Sequence, residues 1–186
     1  MFSDKDFRQR GPFNGAIETS EAELQELPAP HLLDLFAYFH NYRTLAIAKL
    51  YPRVVIWSVG LEFPNPQIMR SQKGWPHNYY EVNFDVLALL QRFEPDSVHN
   101  IHIIYALLDN DYCNAVFEWC YAVLKPGGKL TTLDFKENSR AIPQRLTQIG
   151  FSCRTTKLDK IDHLSDFVQK HDGFYGMDLQ RIVANK

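Results

Sequence analysis

The chain has 186 residues, of which 45% are hydrophobic and 23% charged, and a formal net charge of −2. That length carries one sizeable core and is short for two ordinary domains, while the composition excludes disordered and membrane-spanning classes. The small charge does not point to a broad nucleic-acid footprint, and the three cysteines, without CxxC spacing, read as reduced thiols in a cytoplasmic protein.

Residues 1–19 are polar, contain Gly11, Pro12 and Gly15, and show no sustained period, which predicts a surface-draped arm ahead of one domain over residues 20–186. Ser20 with Glu23 forms a capping box for a short helix that Pro28 and Pro30 stop. From Pro30, apolar residues at Leu32, Leu35, Phe36, Phe39, Tyr42, Leu45, Ile47 and Leu50 recur mostly every three or four positions, which predicts a longer helix ended by Pro52. Arg53 to Gly60 is a β-branched run of the kind that forms a buried parallel strand. The following stretch, with Pro64, Pro66, Gly74 and Pro76, reads as irregular.

Strands are then predicted over 79–84, 98–107, 129–135, 151–158 and 179–184, with helices over 86–93, 111–124, 139–148 and 161–170. Between the helix ending at Leu124 and the strand from Lys129 stands Lys125-Pro126-Gly127-Gly128. Proline stops the helix and glycine permits positive φ, so this segment is a hinge that turns the chain into the sheet. Alternating strands and helices predict an α/β fold with helices on both faces of a mostly parallel sheet. In such sheets ligands lie beyond the carboxyl ends of the strands, where the strand order reverses.

Other chemistries lack their patterns. There is no GxxxxGK[ST] phosphate cradle and no GxSxG elbow, and the cysteines have no neighbouring basic pattern that would favour a thiolate. His99 and His102 have no metal-ligand spacing, so no metal site is expected.

The hinge Leu124-Lys125-Pro126-Gly127-Gly128 before one strand and Gly150-Phe151 before the next resemble the second half of the class I S-adenosylmethionine-dependent methyltransferases. Asn65-Pro66, Gly74-Trp75, Asp85 and Pro95-Asp96-Ser97-Val98-His99-Asn100-Ile101 are similar, in the same order, to landmarks of one subset of small enzymes in that family. The resemblance covers Val54 to Ala184. It implies a Rossmann-like fold with an antiparallel last strand, and S-adenosylmethionine as cofactor.

Where that family has glycine-x-glycine-x-glycine after its first strand, the resemblance sets Ser58-Val59-Gly60-Leu61-Glu62, in which only Gly60 matches and Glu62 brings a bulky anion. It implies cofactor contacts at Ser58, Gly60, Glu81, Asp85, Val86 and Tyr105, with Asp85 toward the adenine amino group. Asp109 and Asp134, after the fourth and fifth strands, are the candidates for facing the acceptor. Each has a structural alternative: Asp85 as cap of the helix from Val86, Asp109 and Asp111 as caps of the helix near Tyr112, and Asp134 as the residue opening a loop.

Two functions follow. One is a compact methyltransferase acting on a small-molecule or protein acceptor, with Phe2, Phe7, Phe13, Tyr38, Tyr42 and Trp75 available to line an aromatic pocket. The other is a relative of the same fold without catalysis, acting as a binding or scaffolding subunit for a protein partner.

Overall fold

Four consecutive buried residues, Leu32-Leu33-Asp34-Leu35, decide the architecture. The computed structural model describes residues 17–18, 27–37, 42–60, 67–70, 75–104, 111–135, 140–158 and 179–186. In it these four form a strand, β2, where the sequence periodicity predicts the start of a helix. A surface helix covers one stripe only, whereas a strand in the middle of a sheet is covered on both faces, and four buried positions in a row require the latter. The helix survives only in its second half, as α1 (Tyr42–Leu50).

The other elements are β1 (Ile17–Glu18), β3 (Ile56–Gly60), β4 (Gln67–Arg70), β5 (Tyr79–Asn83), α2 (Val86–Leu90), β6 (Val98–Ile104), α3 (Asp111–Val123), β7 (Leu124–Phe135), α4 (Ile142–Ile149), β8 (Ser152–Leu158) and β9 (Leu179–Asn185). Two departures occur at one edge. Ile17–Glu18, read from sequence as arm, pairs antiparallel with β4, which itself lies in the stretch read as irregular and pairs antiparallel with β5. The capping box at Ser20 and the helix expected over 161–170 lie outside the described residues.

The strands make one sheet in the order β1-β4-β5-β3-β2-β6-β7-β9-β8. Its centre, β5-β3-β2-β6-β7, is parallel throughout, and β9 runs antiparallel between β7 and β8. From β2 the chain builds toward β3 and β5, then returns to lay β6 on the other side of β2. The strand order therefore reverses at β2 and β6. Among the described residues no helix is long and apolar enough to cross a membrane.

The two faces of the sheet differ. Leu33, Leu35, Trp57, Val59, Ile101 and Ile103 point into the larger cluster, with Val86, Leu89 and Leu90 of α2, Val116, Phe117 and Cys120 of α3, and Leu146 of α4. On the α1 side a small apolar patch of Leu32, Ile56, Tyr79 and Ala48 gives way to a polar row. Register sets Asp34 beside both Ser58 and His102, and Ser58 beside Glu81. Thr44 of α1 donates to Asp34 Oδ2, and the Tyr79 hydroxyl donates to Glu81 Oε1 at 3.0 Å. Burial and then the Glu81 charge hold the Tyr79 phenol well above its ordinary range. Asn78 closes the α1 side, its Nδ2 reaching the carbonyls of Ala48, Tyr51 and Val54 at 3.2, 3.0 and 2.7 Å.

The proline-glycine hinge lies inside β7. Val98 pairs with Leu124 and Asn100 with Lys129, so the intervening residues of β7 are pushed out of the ladder as a bulge. Gly127 has φ +78, and a Cβ there would meet nothing within 4 Å. Only the backbone conformation requires glycine. Lys186 holds the bulge by backbone bonds to Gly127 and Gly128, each 3.1 Å, while its ammonium pairs with Asp96 at 2.6 Å. Gly127→Val is expected to lower stability by about 1 kcal/mol or more, from the strain of a branched residue at positive φ. Thermal unfolding should show this equally with and without a cofactor present.

Candidate functional site

At the carboxyl ends of the parallel strands, the residues directly after β2 and β5 come together with the first turn of α3. After β2 the chain enters Phe36, whose φ of +58 lies in the left-handed region that bulky side chains rarely adopt. Ala37 then turns back over the next strand, its N–H bonded to the Val59 carbonyl at 2.8 Å. This close passage explains Gly60: a Cβ there would lie 2.0 Å from the Ala37 carbonyl oxygen.

After β5 comes Asp85, the N-cap of α2, whose Oδ1 accepts from Ala88 N–H at 2.8 Å. A cap orients a carboxylate as well as satisfying a helix N–H, and the second oxygen stays available beyond the strand end. Here Oδ2 accepts from the Tyr112 hydroxyl at 2.8 Å. Tyr112 stands in the first turn of α3, the helix that follows β6, and its hydroxyl also receives Leu87 N–H over a long 3.4 Å. Its ring meets Phe36 edge-on at 6.2 Å between centroids. Partial burial and the bond to Asp85 push the Tyr112 phenol up to about 12. Phe36, Asp85 and Tyr112 thus join the loops after β2, β5 and β6.

The residues expected from sequence fall into three groups. Asp85 stands in this junction, as does α2, although the Val86 side chain is buried in the core. Ser58 and Glu81 are 4% and 1% exposed, under α1, and bond with Tyr79 rather than facing a crevice. Gly60 is covered by Ala37. The stretch Ser58–Gly60 belongs to β3, one strand away from the reversal, because the true central strand was hidden in the predicted helix. Tyr105, Asp109 and Glu62 lie outside the described residues. Asp134 pairs with Gln180 in β7, and Asp111 is the exposed first residue of α3.

Among the described residues no group of three or more His, Cys, Asp or Glu side chains could hold a metal ion. His99 stacks on His31 at 5.2 Å and has the Lys125 ammonium 3.2 Å from Nε2. Burial, then Lys125, then His31 lower its pKa. Burial raises the thiols of Cys120 and Cys153, which keeps both protonated and poor as nucleophiles. Trp75 packs edge-on against Tyr79 at 5.2 Å. Phe2, Phe7, Phe13, Tyr38 and the Tyr42 side chain lie outside the described residues.

Asp34, Phe36 and Tyr112 escaped the sequence reading. An aspartate inside the apolar run Leu32-Leu33-Asp34-Leu35 was the available signal, since a buried carboxylate in a hydrophobic segment demands a reason.

No protein-family model and no curated protein matches the sequence. Solved structures do match. A SAM-dependent methyltransferase from Archaeoglobus fulgidus is 14% identical with a TM-score of 0.60, covering 89% of this chain and 92% of that one. The antibiotic-resistance methyltransferase Kmr is 16% identical with a TM-score of 0.60, covering 92% of this chain and 95% of that one. The [4+2]-cyclase SpnF is 13% identical with a TM-score of 0.56, covering 89% and 78%. The chain has the Rossmann-like fold of the S-adenosylmethionine-dependent methyltransferases, with the antiparallel last strand that the resemblance implies. At such identities the likeness is one of fold, and the presence of a cyclase among these structures shows that the fold carries more than one chemistry.

Gly60→Ala is expected to destabilise the protein by about 1–3 kcal/mol, the range for overpacking against parts that cannot move aside. Chemical unfolding in ligand-free buffer should register the full loss. If Gly60 instead served a ligand, stability would be unchanged and only binding would fall.

Proposed function

We propose that the protein is a small S-adenosylmethionine-dependent methyltransferase whose cofactor lies beyond the carboxyl ends of β2, β5 and β6. The observation that carries this reading is the pair formed by Asp85 Oδ2 and Leu87 N–H. An acceptor and a donor side by side at a strand end complement an aminated heteroaromatic edge, such as adenine with its amino group and ring nitrogen. Both groups now engage the hydroxyl of Tyr112, which donates to one and accepts from the other. Reversal of strand order at β2 and β6 supports the same location, since that is where open α/β sheets bind ligands.

The cofactor's sulfonium supplies an already activated methyl group, so the work left to this chain is to bind, orient and exclude water. Asp85 would take the adenine amino group, with its carboxylate held in place by Ala88 N–H. Leu87 N–H would take the ring nitrogen. The turn after β2, rather than Ser58–Gly60, would face the rest of the cofactor. Tyr105 follows β6 in sequence and stays a candidate for the cofactor, while Asp109, after β6, and Asp134, near the end of β7, are the candidates for meeting an acceptor.

A second reading has its own observation. With the family's glycine-x-glycine-x-glycine set after β2, the three glycine positions become Phe36, Tyr38 and His40. Phe36 adopts a positive φ that glycine would accept without strain. A side chain that size where a cofactor backbone contact belongs favours a binding subunit that has given up catalysis.

Calorimetric titration with S-adenosylmethionine and S-adenosylhomocysteine separates the two. The enzyme reading expects binding that Asp85→Asn weakens about tenfold, the equivalent of roughly 1.4 kcal/mol and within the range for a hydrogen bond to a charged acceptor. No heat at millimolar cofactor would favour the binding subunit.

A further inference from the structure

Tyr112 occupies the groups that a cofactor would need. Its hydroxyl lies 2.8 Å from Asp85 Oδ2 and 3.4 Å from Leu87 N. An adenine edge paired with both groups would have to take the place of that hydroxyl. The oxygen gives a proton to the acceptor and receives one from the donor, so it satisfies the two groups as an adenine edge would. The Tyr112 side belongs to α3 and the Asp85 side to α2. The contact therefore spans the mouth between two elements instead of lying within one.

The residue is free to leave. Tyr112 is 38% exposed, and its ring meets Phe36 edge-on. Rotation about its χ angles moves the hydroxyl into water without emptying a packed core position. Phe36, which that ring meets edge-on, is held at a φ of +58. Strain of that kind is retained where a site requires it.

We propose that Tyr112 is a gate residue of the adenine subsite: its hydroxyl takes the two hydrogen-bonding groups that an adenine edge would take and must be displaced for an adenine-bearing ligand to bind. This rests on the assignment of the pocket made above and adds to it a competitor supplied by the chain itself. Only a ligand that replaces both hydrogen bonds recovers what the displaced hydroxyl gives up. Adenine does so. Hypoxanthine presents an oxygen toward the Asp85 carboxylate and does not, so Asp85 and Leu87 favour adenine with or without the hydroxyl. A hydroxyl that must leave first lowers the apparent affinity of every occupant by the same factor, the fraction of time the gate stands open.

The experiment compares the full chain with Tyr112→Phe, which keeps the ring against Phe36 and removes only the hydroxyl. S-adenosylhomocysteine and S-inosylhomocysteine are the probes, with affinity from calorimetry and association rate from stopped-flow fluorescence. The expected result is that Tyr112→Phe binds S-adenosylhomocysteine several-fold to about tenfold tighter, with a faster association rate, and that S-inosylhomocysteine, the weaker ligand of both proteins, gains by the same factor. Equal or weaker binding of S-adenosylhomocysteine by the variant overturns the gate while leaving the pocket assignment standing. A gain toward S-adenosylhomocysteine alone overturns it as well, because a competing hydroxyl weakens every occupant equally. Failure of both proteins to bind either probe overturns the pocket assignment and the gate together, an outcome distinct from unchanged affinity. A change in melting temperature alone has no bearing on a ligand-specific gain.

Discussion

The passage of Leu32–Leu35 through the middle of the sheet is the constraint on which the rest depends. Because β2 lies between β3 and β6 in parallel register with both, the strands that follow it, first β3 and later β6, are laid on its opposite sides. That creates the reversal at its carboxyl end. The same insertion buries Asp34, and a carboxylate taken out of water is tolerated only with hydrogen-bond partners. Thr44 supplies one from α1, so the helix is tied to the strand by polarity as well as by the apolar contacts of Ala48, Leu32 and Ile56.

The polar row Glu81, Ser58, Asp34 and His102 runs across the sheet on the α1 side, at a level below the strand ends. Its members bond laterally and to α1, which suits them to fixing strand order and helix placement. A polar group in the wrong register would lose its partner, so such a row specifies one pairing among several that apolar strands would accept. The site is built from other material. Phe36 and Asp85 come from the residues just after β2 and β5 and Tyr112 from the first turn of α3, and each is attached to its own rigid element by a strand end, a cap or a helical turn.

Much of the fold was legible in the sequence. The hinge at Pro126-Gly127, the strand from Ile56 and the capping aspartate at Asp85 carry short-range signals: a fixed φ, a β-branched run, and an acceptor one residue before an apolar helix. β2 was not legible, because Leu32 and Leu35 are spaced by three and blend into the helical pattern of α1, and four residues are too few to assert a strand against it. That single miss set the glycine motif against Ser58–Gly60, at the end of β3, whereas the strand order reverses at β2. Gly60 looked functional because glycine after a strand is often a ligand contact. Here it is glycine because the Ala37 carbonyl passes over it, a contact made across strands that no local pattern reveals. Tyr112 was hidden for the same reason, being 27 residues from its partner Asp85.

The central claim is that a cofactor binds where the loops after β2, β5 and β6 meet. Amide chemical-shift mapping with S-adenosylhomocysteine tests it most directly, since it reads location without depending on an acceptor. The account predicts the largest shifts at Phe36 and Ala37, at Asp85 to Leu87, and at Tyr112. Shifts concentrated in the groove between α3 and α4, at Asn114, Glu118, Arg145 and Gln148, with the strand-end residues unmoved, would contradict it.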